Sequence, residues 1–464
     1  MFTGLSSYRD RLLPVLRRLG PTSAPALAQA LGVSAATALR MLKQHAPQVL
    51  AVGEARRRRY AARRGLRGDL SDLPVYAIDP QGRARSTGSL ALVAPEGSWL
   101  PLDPAVWPLP EPVHGGWWPG LPYPLADMRP QGYMGRQFAR QHHAALQLPP
   151  DPREWSDDQV LLALTQAGSD TPGDLVVGVV AFERWQAGTL GAEQPLTEDA
   201  LGPAYLALAE QAMAGGAPGS SAAGEFPKFT ARRALEGART PHVIVKFSGA
   251  DGSPTVQRWA DLLVCEHIAL QTLSDVLAMP VAASRIVQHG GRTFLESERF
   301  DRHGDFGRSP LVSLGTLDAA LLGAGTAQWP LLARRLAQPA PLGPALLSEE
   351  QVAQVDTLWW YGRLIANSDM HTGNLSFRPQ RTLALAPVYD MLPMLYAPAA
   401  GGEVVHPPFV PALPLPEQAA AWRGAARAAV AFWRRAGADG RVGAAFRATC
   451  LGNAERVEEA AVRV

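Results

Sequence analysis

The run PHVIVKFSG sets Lys246 near the end of an apolar, strand-like segment. An ammonium there is costly to bury unless a partner meets it, so whatever fold the chain adopts must bring an anion to this strand. Twenty residues on, LLVCEHIALQTL has the apolar periodicity of an amphipathic helix and carries Glu266. A strand lysine that holds phosphates and pairs with a helix glutamate is the arrangement of a kinase small lobe. RTFLESERFDR then reads as a strand leaving that lobe, with exposed backbone able to meet an adenine.

Further along, LWWYGRLIANSDMHTGNLSFRP predicts a helix ending near Ile365 that runs into Asn367, Asp369, His371 and Asn374, followed by an apolar strand-like Leu-Ser-Phe. Sixteen residues after Asn374, APVYDMLPM carries Asp390. An Asp, an Asn five positions later and a second Asp after a short hairpin is the order used by kinases. There the first Asp orients the attacking hydroxyl, and the Asn and second Asp hold magnesium on the phosphates. Capped turns also collect Asp and Asn, so each residue alone is unspecific; the ordered set is not. The stretch MAGGAPGSSAAG, residues 213–224, is a linker by composition, and its place before a strand also suits a phosphate-covering loop.

Charge is divided unevenly. Residues 1–68 hold 13 Lys and Arg against Asp10 and Glu54, a net of +11, so the overall +2 leaves −9 for the remainder. One end therefore suits a polyanion. Leu12, Leu13, Val15, Leu16 and Leu19 give a first helix its apolar face before Gly20 and Pro21 stop it. Ser23 predicts the cap of a second helix with Leu27, Ala28 and Leu31 inward, Gly32 a tight turn, and Ser34 the cap of a third with Ala38, Met41 and Leu42 inward. Strand-like stretches Val49–Val52 and Arg58–Ala61, joined at Gly53 and Glu54, complete a winged helix-turn-helix. In that geometry Ala35, Ala36, Thr37 and Arg40 face a major groove, and Arg56, Arg57, Arg58 and Arg59 lie beside phosphates. A three-helix adaptor with a solvated arginine run is the alternative.

PVYAIDPQGRARSTGSLALV predicts a hairpin turning at Asp79–Gly82, and the following hundred residues, rich in Trp, Pro and Gly, predict an irregular packed region in which Trp117 and Trp118 serve the core or an interface. His142 and His143 are adjacent and lack spaced partners for a metal. From about Glu350 the pattern is mainly helical except near 370–415. At 464 residues with 47% hydrophobic and 19% charged side chains, the chain is too long for a stapled scaffold and too apolar for disorder. Two cysteines, Cys265 and Cys450, favour a reducing compartment. The absence of signal-like features, and an apolar run at 175–182 far short of the ~20 residues that cross a bilayer, predict a soluble cytoplasmic protein.

The motifs SAAGEFPKF, HVIVKF, ESERFDR, NSDMHTGN and PVYDMLP jointly resemble those of HipA-family serine/threonine kinases, the toxin type of bacterial toxin–antitoxin systems. Within them the chain is similar to the YjjJ branch, in which a helix-turn-helix precedes the kinase, and the resemblance covers most of its length. It implies an α+β, bilobal, protein-kinase-like fold behind a winged helix: a DNA-binding domain over 1–66, an N-terminal lobe with an ATP-covering loop over 73–300, and a mainly helical C-terminal lobe over 301–464. ATP and Mg2+ are the implied cofactors. Asp369 would accept the substrate hydroxyl proton, Asn374 and Asp390 would bind magnesium, and Lys246 would contact the nucleotide phosphates. Ala223, Gly224, Glu225, Phe226, Pro227 and Lys228 would cover ATP, Glu298, Arg299 and Phe300 would form the hinge at adenine, and His371, Thr372, Gly373 and Tyr389 would join the nucleotide site. Ser221, or Ser220 beside it, matches a loop serine whose autophosphorylation, adding a charge of roughly −2, switches such enzymes off. The implied substrate is a translation-related protein such as an aminoacyl-tRNA synthetase; the implied partners are DNA and an antitoxin, with no membrane.

The chain departs from the family at Gly373, where a lysine usually precedes the magnesium-binding asparagine, and at GEFPKF, which replaces a more polar loop ending. A basic wing in the kinase chain is a third difference, because DNA binding is normally supplied by the antitoxin; one chain would then combine toxin and operator binding. Gly373 favours an alternative, a DNA-binding regulator whose kinase domain senses nucleotide without transferring phosphate. Lys246, Asp369, Asn374 and Asp390 together oppose it. A small-molecule phosphotransferase shares the Asp-x-His-x-x-Asn loop, but ESERFDR and the serine-bearing loop favour a protein substrate.

Overall fold

A computed structural model describes residues 3–110, 113, 115–191, 194–214, 225–339 and 344–464. Helix α1 (Thr3–Leu19) ends, α2 (Ala24–Leu31) begins and ends, and α3 (Ala35–Gln44) begins where the sequence marks them. Ser23 accepts the Ala26 amide, Ser34 accepts the Thr37 amide at 3.2 Å, and Gly32 turns the chain at φ +71°. Leu12, Leu16, Leu27, Leu31, Met41 and Leu42 form a small core. The antiparallel hairpin of β1 (Val49–Val52) and β2 (Arg59–Ala62) is tightened at its tip by a 3-10 turn over Ala55–Arg57, so the second strand starts one residue later than the sequence suggests. The back of this hairpin is covered: Leu50 and Ala61 pack on Ala91 and Val93, and the amides of Ala94 and Arg64 donate to the carbonyls of Ala62 and Leu92. Arg63 pairs with Asp72, Arg64 with Asp158, and Arg67 donates to the Leu146 carbonyl. Three of the cations behind the +11 thus bind the rest of the protein instead of facing outward.

The next layer is an antiparallel sheet in the order β6-β5-β4-β3-β7, built from β3 (Leu73–Ile78), β4 (Ala84–Val93), β5 (Gly97–Trp99), β6 (Trp117–Trp118) and β7 (Leu175–Val177). Its first turn falls at Asp79–Gly82 as expected, because Asp79 Oδ1 accepts the amides of Gln81 and Arg83. The expectation of a hundred irregular residues is corrected: α4 (Gly132–Leu146), α5 (Asp157–Ala167) and α6 (Val179–Leu190) are regular helices, followed by α7 (Glu198–Ala214). Ser156 and Gln159 cap α5 reciprocally, a signal masked by the flanking Trp and Pro residues. Gly178, at φ +88°, divides the apolar run at 175–182 into a strand and a helix.

β8 (Lys228–Arg232), β9 (His242–Phe247), β10 (Ser284–His289) and β11 (Arg292–Glu298) form a four-stranded antiparallel sheet ordered β10-β11-β9-β8, with α8 (Pro254–Leu277) joining β9 to β10. Short pieces follow: the pair β12 (Arg302–His303) and β13 (Gly307–Arg308), and a sheet of β14 (Val312–Ser313), β15 (Ser376–Pro379) and β16 (Leu383–Leu385). Helices α9 (Leu314–Leu317), α10 (Trp329–Leu336), α11 (Glu349–Leu364), α12 (Ala419–Ala438) and α13 (Ala444–Ala461) complete the α+β chain, with the expected irregular patch between α11 and α12. One continuous core links Val75 and Leu164 through Leu263 and Ile268 of α8 to Trp422, Phe432 and Phe446. Cys265 and Cys450 lie in it as free thiols. Among the described residues no helix is long and apolar enough to cross a membrane. The sheet with its one long helix, set before a mainly helical region, is the layout the sequence predicts.

Candidate active site

The anion demanded by Lys246 comes from two directions. Its Nζ donates to both Glu266 oxygens at 2.8 Å, and to Asp390. Lys228 stands directly across the ladder from Lys246, and two facing ammoniums are tolerable there because carboxylates surround them. Burial works against the Lys246 ammonium, but Asp390 and Glu266 outweigh it and hold the group above the ordinary lysine range. Burial, reinforced by the nearby Asp390 charge, raises the Glu266 carboxyl in spite of Lys246. Burial pushes Asp390 upward too, yet Lys246 and Lys228 bring it below the usual carboxylate range. Asp390 is therefore the firm anion of the trio.

After α11 the chain reverses through Ala366, at φ +58°, and Asn367 ties the two acidic loops together. Asn367 Nδ2 donates to the Asp390 carbonyl at 3.3 Å, while its Oδ1 accepts the Asp369 amide at 3.0 Å. Asn374 Nδ2 donates to the Asp369 carbonyl at 2.9 Å. Asp390 itself sits at φ +59°, a left-handed conformation that Asp tolerates better than most residues. Tyr389 supports this turn by donating its hydroxyl to the Gly373 carbonyl at 2.6 Å. Asp369 is raised above the usual carboxylate range by burial, against His371, with Asp390 and Glu225 adding to the rise. That direction suits a group that must take up a proton. His371 Nδ1 accepts the Gly373 amide at 3.1 Å, and a Cβ at position 373 would come within 2.9 Å of the His371 ring. A side chain at 373 therefore requires His371 to move, so the glycine and the histidine form a matched pair. Asn367 is the residue whose part the sequence leaves unstated; its place in the same turn as Asp369 is the available signal.

Ser220, Ser221, Ala223 and Gly224 lie outside the described residues. The described residues on either side of that stretch are both fastened to α4. Glu225 accepts the Tyr133 amide at 2.8 Å and Arg136 at 2.9 Å, and lies 3.4 Å from Lys228 Nζ. On the other flank, the Tyr133 hydroxyl and Gln137 Nε2 donate to the Ala212 carbonyl. Phe226, next to Pro227, is buried against Trp259 with Lys246 Nζ 6.0 Å from its ring. At the linker strand, the amides of Glu298 and Arg299 donate to the carbonyls of Ala283 and His242, and the Phe300 carbonyl accepts Arg378. Less of this backbone is open than the sequence suggests. Glu298 pairs with Arg233, Arg299 is buried between Asp170 and Asp301, and the Phe300 ring lies 5.5 Å from Tyr389. Thr372 opens the single 3-10 turn that ends at Asn374.

Among the described residues no group of three or more His, Cys, Asp or Glu side chains is placed to hold a metal. Asn374 and Asp390 offer two oxygen donors, a set that fits a magnesium ion retaining water and phosphate oxygens and does not fit a resident zinc site. At the other end of the chain, Arg40, Arg56, Arg57, Arg58 and Arg59 are exposed. Thr37 is half-buried, and its hydroxyl lies 2.9 Å from that of Ser34. Arg58 leans on the Tyr60 ring at 5.7 Å, and Arg59 donates to the Pro21 carbonyl at 3.5 Å.

Residues 69–186 match the family model for the YjjJ-like toxin middle domain, and residues 220–461 match that for the HipA-like C-terminal domain. Toxin YjjJ of Escherichia coli (strain K12) is 38% identical over 453 residues, covering 96% of this chain and 95% of that one. Among solved structures, HipA of the Shewanella oneidensis MR-1 toxin–antitoxin system, in a complex with HipB and its operator DNA, aligns with a TM-score of 0.43 at 18% identity, over 77% of this chain and 91% of that one. The Helicobacter pylori proinflammatory kinase CtkA aligns with a TM-score of 0.35 at 11% identity, over 51% and 91%. With the two family models and a relative alike over nearly its whole length, the chain belongs to the YjjJ-like branch of the HipA-like toxin family.

Proposed function

We propose that the protein is an ATP- and Mg2+-dependent serine/threonine protein kinase that slows growth by phosphorylating a translation-related protein, and that its N-terminal module binds DNA. The observation that carries the kinase reading is the junction at Lys246, where Glu266 from α8 and Asp390 from the far lobe meet one ammonium. Held by Glu266, Lys246 contacts the nucleotide phosphates. Asn374 and Asp390 would hold Mg2+, which supplies positive charge against the transferring phosphoryl group. Asp369 takes the proton of the acceptor hydroxyl as that oxygen bonds to the γ-phosphorus and ADP departs with the broken P–O bond. Asn367 and Asn374 fix the distance between base and nucleotide through their bonds to Asp369 and Asp390. Membership of a toxin family supports the growth effect, and with it an antitoxin that restrains it.

The test is incubation of purified protein with Mg2+ and ATP followed by mass spectrometry, with Asp369→Asn as the control. One added phosphate on Ser221 or Ser220 is expected in the wild type and none in the variant. No incorporation, together with no ATP turnover on cell lysate, would overturn the kinase reading. The regulator reading rests on Gly373, but the contact with His371 supplies a structural reason for a glycine there.

A further inference from the structure

A cavity of about 640 Å3 opens beside the catalytic turn, lined among others by Trp359, Arg363, Asp369, His371, Phe409 and Val410. Lys246, Glu266, Asn374 and Asp390 do not line it. Asp369 is thus shared between two spaces: the nucleotide side, with the lysine and the magnesium donors, and a second side that the phosphate machinery leaves unused. A hydroxyl that gives its proton to Asp369 has to arrive through this second space.

The chemistry of the walls is specific. Arg363 lies in the last turn of α11, is exposed, and rests 5.6 Å from the Trp360 ring. Among the described residues it has no ion-pair partner. One rim of the cavity belongs to a segment without helix or strand, residues 403–415, in which Val410 is 80% and Leu415 59% exposed, with Val405 and Leu413 also open. Its prolines at 407, 408, 411, 414 and 416 keep that ledge extended. Exposed Val410 on this rim, across the same cavity from Arg363, marks a contact surface.

We infer that this cavity is the acceptor site, and that it takes a polypeptide whose serine or threonine is flanked by an acidic residue for Arg363 and by an apolar residue for the rim at Val410. The inference rests on the kinase reading. A polycationic small-molecule acceptor such as an amino sugar is disfavoured, because the free guanidinium repels it.

A peptide library with one central serine or threonine and scanned neighbours, incubated with the full chain, Mg2+ and ATP, tests this. The wild type should favour Asp or Glu over Lys or Arg at one flanking position by up to about fivefold, the upper range of an exposed ion pair. Arg363→Ala should flatten that preference, and Arg363→Glu should reverse it. A wild type indifferent to acidic neighbours, or a preference that Arg363→Glu leaves unchanged, overturns the assignment. So does phosphate on Ser221 or Ser220 with none on any peptide, an outcome that leaves the kinase reading standing. No transfer to any peptide or to the protein itself overturns the kinase reading, and this site with it.

Discussion

Replacing Lys246 with methionine keeps most of the side-chain volume and removes the ammonium. At an effective dielectric constant of about 20, unit charges 2.8 Å apart attract by about 6 kcal/mol. Desolvating the two ions costs several kcal/mol each, so the intact pair contributes little net stability. The variant is a different matter, because it loses the attraction and keeps Glu266 buried, its side chain 2% exposed. Breaking a buried pair from one side costs about 3–5 kcal/mol. At about 2–4 °C per kcal/mol for a unit the size of the kinase region, Tm should fall by on the order of 10 °C. The sign of the pH dependence follows from Glu266. Burial holds its folded pKa above the unfolded value of about 4.3, and without Lys246 only the weaker pull of Lys228 opposes that rise. An acid of this kind destabilises the fold as pH climbs through its folded pKa, and does no harm below the unfolded one, where both states are protonated. The deficit should therefore be large at pH 8 and shrink toward pH 5. Adding Glu266→Gln should recover much of the lost Tm without restoring phosphate transfer. Calorimetric melting of wild type, single and double variants at the two pH values measures all of this. Equal deficits at both pH values, or a double variant that melts below the single one, would refute the reasoning.

Two further outcomes follow from the geometry. Changing Arg56, Arg57, Arg58 and Arg59 together to alanine should weaken binding to the protein's own promoter DNA and lower the log–log salt slope by about 3–4; a slope that does not change in a mobility-shift titration would place the contact elsewhere. Gly132 sits at φ +61° with Glu225 Oε1 2.6 Å from where a Cβ would be, so Gly132→Ala should cost about 1–2 kcal/mol in backbone conformation and displace Glu225. The expected result is a raised KM for ATP with kcat little changed, and an unchanged KM would show that the Glu225 anchor does not position the nucleotide loop.

Local signals were legible from residue types alone. Ser23, Ser34 and Gly32 act as caps and turn because a hydroxyl at a helix start and a glycine at a left-handed position satisfy needs of the immediate backbone. Lys246 and Glu266 could be paired in advance because burial leaves a strand lysine few alternatives. What stayed hidden depends on contacts far apart in the chain. Arg63 and Arg64 look like part of a polyanion-binding face until Asp72 and Asp158 reach them. ESERFDR reads as open linker backbone, yet Asp170, 129 residues away, reaches back to bury Arg299. Glu225 reads as a loop residue, and its role emerges only once α4 folds beside it from 89 residues upstream. The helices after Gly132 were obscured for a different reason: the tryptophans, prolines and glycines before them set an irregular expectation that the segments starting at 132 and 157 do not share.

The seam between the N-terminal hairpin and β4 has a mechanical meaning. With Ala94 bonded to Ala62 and Arg64 to Leu92, the basic head is riveted to the body where a string of glycines would have left it to swing. On the proposed reading, a swinging head would let the kinase lobes sweep a sphere around bound DNA, whereas a riveted one gives the Asp369 cleft a single compass bearing relative to it.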